Sequence, residues 1–136
     1  MKLKLSAIVL VAILPAHGRA AILTDAEATF LDQLVTAAAV LEQRCTGYEV
    51  NGAGSVRLGA RLLGSPDAAM AMINAYDAAI KAHHGQDYDP NKFRLEVSEA
   101  VGKTSGQLQA ALIKNPTEAC ADYGDSSVAR GLLRRY

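Results

Sequence analysis

Few residues in this 136-residue chain could do chemistry, and their spacing limits what that chemistry would be. Asp87-Tyr88-Asp89-Pro90-Asn91 places oxygen ligands at the first three positions of a calcium loop. Lys92 then stands where such a loop needs the glycine of its sharp turn, and Ser98 where it needs a bidentate glutamate. The segment therefore offers at most a weak surface cation site, and two turn aspartates with a helix cap are the plainer reading. His83 and His84 are adjacent and point about 100° apart on a helix, so they cannot easily share one metal. His84 with Asp87 or Asp89 would give zinc only two or three ligands, too few for a structural site. Asp87, Asp89, Asn91 and His84 are thus the metal candidates, and no cofactor is expected.

Other groupings fail on spacing. Gly102-Lys103-Thr104 resembles the tail of a phosphate loop, but the glycine required five positions earlier is Val97. Gly52-Ala53-Gly54 follows no strand, which excludes a dinucleotide fingerprint. No serine or cysteine has a histidine at a spacing that suggests a nucleophile and its base. Glu96 and Glu99 could form a carboxylate pair for glycoside hydrolysis, although glutamates three apart on a charged helix face are usually just solvated. No catalytic residue is therefore assigned.

The cysteines suit another role. Met1-Lys2-Leu3-Lys4, the apolar run Leu5–Leu14, Pro15 and the small residues of Gly18-Arg19-Ala20 have the layout of a secretory signal peptide cleaved after Ala20. The run is too short to span a membrane, which takes about 20 apolar residues. Its length and two-lysine start fit bacterial export, to the periplasm or beyond. The expected organisation is a cleaved signal over residues 1–20 and a single helical domain over 21–136. In an exported chain Cys45 and Cys120 permit one intramolecular pairing; an intermolecular bridge or a free thiol are the alternatives. The remaining domain carries 11 basic and 14 acidic side chains, a net of −3 with no basic cluster. That balance argues against nucleic acid and against anionic lipid. No membrane span is expected after signal cleavage.

The elements follow from caps and periodicity. Thr24-Asp25-Ala26-Glu27 has the form of a capping box. Phe30, Leu31, Leu34, Val35, Ala38, Leu41 and Cys45 then recur at helical spacing up to Gly47. Asn51-Gly52-Ala53-Gly54 signals a loop, followed by one or two helical turns over Arg57–Leu63. Ser65-Pro66-Asp67 starts a helix with Ala69, Ile73, Tyr76, Ile80 and His83 inward, ending at Gly85. Asp89-Pro90 starts another, with Phe93, Val97, Val101, Thr104, Leu108, Ala111 and Leu112 in register as far as Lys114; Gly102 and Gly106 would allow a kink or a close helix approach. Asn115-Pro116 caps a further helix, broken at Gly124-Asp125, before a last short helix with Val128, Leu132 and Leu133 inward. No strand alternation is present. The fold class is all-α, a small bundle of four to five helices stapled by one disulfide.

The pieces Glu42-Gln43-Arg44-Cys45 and Cys120 through Gly131-Leu132-Leu133-Arg134 resemble small exported one-disulfide helical proteins of unknown function from alphaproteobacteria. There, a first helix ends in cysteine and a second cysteine precedes a Gly-Leu-Leu-Arg-like tail. The match covers a small part of the chain and implies export, helices and a bridge, but no activity. The expected function is a non-catalytic binding or interaction module of inhibitor, immunity or stress-chaperone type. It would act as a monomer or dimer, with another envelope protein as partner. The alternative is an envelope hydrolase that gathers carboxylates from several helices.

Overall fold

Thr24 begins the first helix through the expected reciprocal contacts. Its hydroxyl accepts from the Glu27 amide at 3.1 Å, and the Glu27 carboxylate accepts from the Thr24 amide at 3.3 Å. The computed structural model describes residues 22–136; the expected leader lies outside them. Element order is α1 (Asp25–Glu42), β1 (Tyr48–Val50), α2 (Gly52–Leu63), α3 (Pro66–His83), α4 (Leu95–Lys114), α5 (Pro116–Ala129) and β2 (Leu133–Arg135). Over the described residues the protein is an all-α bundle of five helices with one disulfide and a minimal two-stranded sheet. No helix among the described residues is long and apolar enough to cross a membrane.

Helix α1 is the core of the bundle and packs against all four other helices. It buries Phe30, Leu31, Leu34, Val35, Ala37, Ala39 and Val40, more than one stripe, because neighbours surround it. Burying Phe30 alone contributes roughly 1.5–3 kcal/mol. The helix ends earlier than Cys45: Arg44 adopts a left-handed φ of 55°. The amides of Arg44 and Cys45 then return to the carbonyls of Leu41 and Val40. This turn points Cys45 at Cys120 of α5, and the two form the disulfide, 75 residues apart in sequence.

Several expectations change. The Asn51 signal is a helix cap, not a loop: its side chain accepts from the Gly54 amide at 3.0 Å and α2 runs for twelve residues. In α3 the inward face is Ala69, Met72, Ala75, Ala78 and Ala79, while Ile73, Tyr76 and Ile80 are half-buried and His83 is exposed. Small residues go inside because they let α3 approach its neighbours closely, and the larger side chains spread along the flanks.

Helix α4 starts at Leu95 and not at Pro90, because Asp89 accepts from the Asn91 amide at 2.9 Å and folds its segment into a turn. Tyr88 and Phe93 close that turn with ring centroids 5.3 Å apart. Helix α5 runs unbroken through Gly124, whose hydrogen faces the Tyr48 ring; a Cβ there would lie 2.3 Å from Tyr48 Cζ. The glycine serves close approach, not a break.

The last short helix does not form. Gly131, at φ 83°, closes α5 with amide returns from Gly131 to Val128 and from Leu132 to Ser127. The chain then turns back, and Leu133–Arg135 pairs antiparallel with Tyr48–Val50, matching Tyr48 to Arg135 and Val50 to Leu133. Leu132 and Leu133 are buried as expected, but from a strand and the bend before it. Tyr48 donates to Asp125 at 2.9 Å, and Arg135 lies 5.3 Å over its ring while pairing with Asp125. Beside this strand pair, Gly54 meets the carbonyl of Gly131 so closely that a Cβ would fall 1.9 Å from the oxygen.

Two outcomes follow from these joints. Cys45→Ser and Cys120→Ser should each destabilise by about 2–4.5 kcal/mol and to the same extent, since each opens the same 75-residue loop; thermal melts of both variants check this, and unequal losses would point to packing at one cysteine. Gly54→Ala should lower the melting temperature by several degrees although alanine favours helix, because the Gly131 carbonyl must move.

Candidate functional site

The residues singled out for chemistry lie apart or serve the fold. Asp87, Asp89, Asn91 and His84 are all exposed, and the Asp89 carboxylate is already engaged by the Asn91 amide. Among the described residues no three His, Cys, Asp or Glu side chains gather in a metal-binding group. His83 reaches across to α4, where its Nε2 is 3.1 Å from the Ser98 carbonyl and 3.2 Å from the Ser98 hydroxyl. This serine–histidine contact was not legible from spacing. Nε2 thus sits between two oxygens of Ser98, donating to the carbonyl in one tautomer and accepting from the hydroxyl in the other. Gly102 lies beneath the imidazole, with a would-be Cβ 3.4 Å from the ring, so its smallness admits α3 and not a phosphate.

Two carboxylates from different elements do converge, on Arg94. Its guanidinium meets Glu27 at 2.8 Å and Glu96 at 2.6 Å, joining the start of α1 to the start of α4. Glu96 is therefore engaged by Arg94 and not simply solvated. Burial pushes the Glu27 carboxyl up, but hydrogen bonds from Arg94 and Thr24, with the Arg94 charge, more than offset it and hold the group below its ordinary range. A general acid needs the opposite shift. The arrangement is an electrostatic clasp.

The feature with the form of a binding site is an apolar groove of about 360 Å³ beside α1. Leu34, Ala38 and Leu41 of α1 form one wall, and Val56 of α2 with Ile73 and Tyr76 of α3 the others. Leu132 and Leu133, both buried, also line it, which is why the C-terminal strand matters to the site. Val50 and Met70 stand at the rim, 59% and 41% exposed. No lining residue carries a charge; Ser55 already bonds the Asn51 carbonyl at 3.0 Å, and Tyr76 lines both this groove and a neighbouring small hollow beside Glu42. Burial above all, then the carboxylates of Glu42 and Asp77, push the Tyr76 phenol well above its usual range, so it stays a neutral donor. The volume lies within the 300–1,000 Å³ typical of ligand pockets, at about the lower end.

No family model, curated protein or solved structure matches the chain. The groove therefore stands on its own geometry. Sequence periodicity hid it by assigning Ile73 and Tyr76 to the core. The available signal was the competing alanine stripe of α3, which leaves both residues off the inward face.

The clasp makes a prediction of definite sign. Glu27 binds its proton less tightly in the folded state, so its contribution is complete above the unfolded pKa and fades as pH falls through the lower folded value. Arg94→Gln should destabilise by about 1 kcal/mol at neutral pH, and the gap from wild type should narrow in acid. A gap independent of pH in denaturant titrations would mean that Arg94 acts by packing alone.

Proposed function

We propose that this protein is an exported binding module that works without catalysis, with its apolar groove taking uncharged anchor side chains from a partner protein of the envelope. The observation that carries this reading is the groove itself: an uncharged concavity between helices, with large apolar side chains left exposed at its rim. Exposed Val50 and Met70 beside a preformed hollow are what an interface centre presents before its partner arrives. The volume suits one or two large aliphatic or aromatic side chains. The disulfide is compatible with an oxidising compartment such as the periplasm.

Titration with an uncharged naphthylamine dye tests the groove, and partner capture tests its use. The dye should bind saturably at one site. Val50→Asp and Met70→Glu, both at exposed positions, should weaken it about tenfold or more with melting temperature unchanged. A partner recovered from envelope extract with the wild type should be lost with Val50→Asp and displaced by dye. Equal dye binding by wild type and both variants would remove the groove as the site, and a partner insensitive to them would bind elsewhere.

A further inference from the structure

Helix α2 separates the apolar groove from a depression of the opposite character. Gly52, Ser55 and Val56 face the groove, whereas Gly54, Arg57 and Arg61 line the other hollow, at helical spacing on the reverse face. Arg130, the C-cap residue of α5, completes it, so three arginines line a depression of about 450 Å³. The Gly54–Gly131 contact sets their relative position by holding the first turn of α2 against the end of α5.

None of the three has an anionic partner. The ion pairs among the described residues use Lys81, Arg94, Arg134 and Arg135. Residues 1–21 contain no acidic side chain that could supply one. No Asp or Glu lines the depression. Arg57 and Arg61 also form a like-charge pair one helical turn apart, an arrangement that slightly destabilises a helix. The carbonyl end of α5 favours a cation at Arg130, although the carbonyls of Ser126, Ser127 and Val128 are already satisfied by the amides of Arg130, Leu132 and Gly131. That effect leaves Arg57 and Arg61 unaccounted for. In a domain that is acidic overall, three unpaired arginines around one hollow form a local site for an anion.

We infer that this depression binds a phosphate group. Guanidinium forks match the paired oxygens of phosphate, and a multivalent anion answers three positive charges where a single carboxylate would leave two uncompensated. The site is independent of the apolar groove and stands or falls without it. Its ligand is either a free multivalent phosphate compound or the neighbouring phosphodiester headgroups, one charge each, of an anionic phospholipid surface.

Titration of the full chain with pyrophosphate, followed through arginine Nε–Hε resonances, tests the site. Saturable shifts of Arg57, Arg61 and Arg130 are expected. Arg57→Gln should weaken binding about tenfold or more, while Arg44→Gln, which removes an exposed guanidinium outside the hollow, should not. Sedimentation with phosphatidylglycerol vesicles separates the sources: association lost in Arg57→Gln assigns a headgroup, and pyrophosphate binding without vesicle association assigns a free phosphate. Absence of both, or equal weakening by Arg44→Gln and Arg57→Gln, would overturn the inference. Melting temperatures of both variants should match wild type, since neither position is buried.

Discussion

The Cys45–Cys120 bridge fastens the end of α1 to the early turns of α5, and the surrounding structure depends on that join. β1 begins three residues after Cys45; after α5 the chain returns as β2, whose end comes back beside that start, the Tyr136 amide bonding the Gly47 carbonyl. Tyr48, Asp125 and Arg135 then lock the strand pair onto α5, with Gly124 leaving room for the tyrosine ring. The left-handed turn at Arg44 belongs to the same join. It holds a non-glycine residue in a conformation that side chains disfavour, in order to direct Cys45 inward.

Both proposed sites are by-products of close backbone packing. Gly59 of α2 faces Ala69 of α3 and Phe30 of α1 at distances no side chain could tolerate, and the alanine face of α3 draws that helix inward. Large side chains displaced from such tight seams collect along the flanks. On one side of α2 they line an uncharged groove, and on the other the contact between Gly54 and Gly131 leaves arginines around a second hollow. One short helix thus divides two environments of contrasting chemistry.

Much of the architecture was legible in the sequence where the signal is local. The capping box at Thr24, the proline-led starts at Pro66 and Pro116, and the single cysteine pair needed only near neighbours or elimination, and all are present. What escaped depends on distant partners. Gly124 resembled a helix break because nothing nearby reveals that Tyr48 lies against it. Leu133-Arg134-Arg135 continued a helical pattern because three residues are too few to show alternation, and its partner strand lies beyond four intervening helices. The groove was hidden for the same reason: α3 has two faces of plausible spacing, and only its neighbours select between them. The Arg94 clasp joins residues 67 apart and left no local trace.

The bridge also has a consequence for the order of folding. Tyr48 and Arg135 are 87 residues apart along the backbone but only 18 apart when counted through the disulfide. Closing the smaller loop reduces the entropic barrier by about 1.4 kcal/mol on polymer scaling. An oxidised chain can therefore meet its C-terminal strand as a near-local event, whereas a reduced chain must first bring its two ends together across the whole bundle. Oxidation before folding would turn the slowest pairing in this topology into one of the quicker ones.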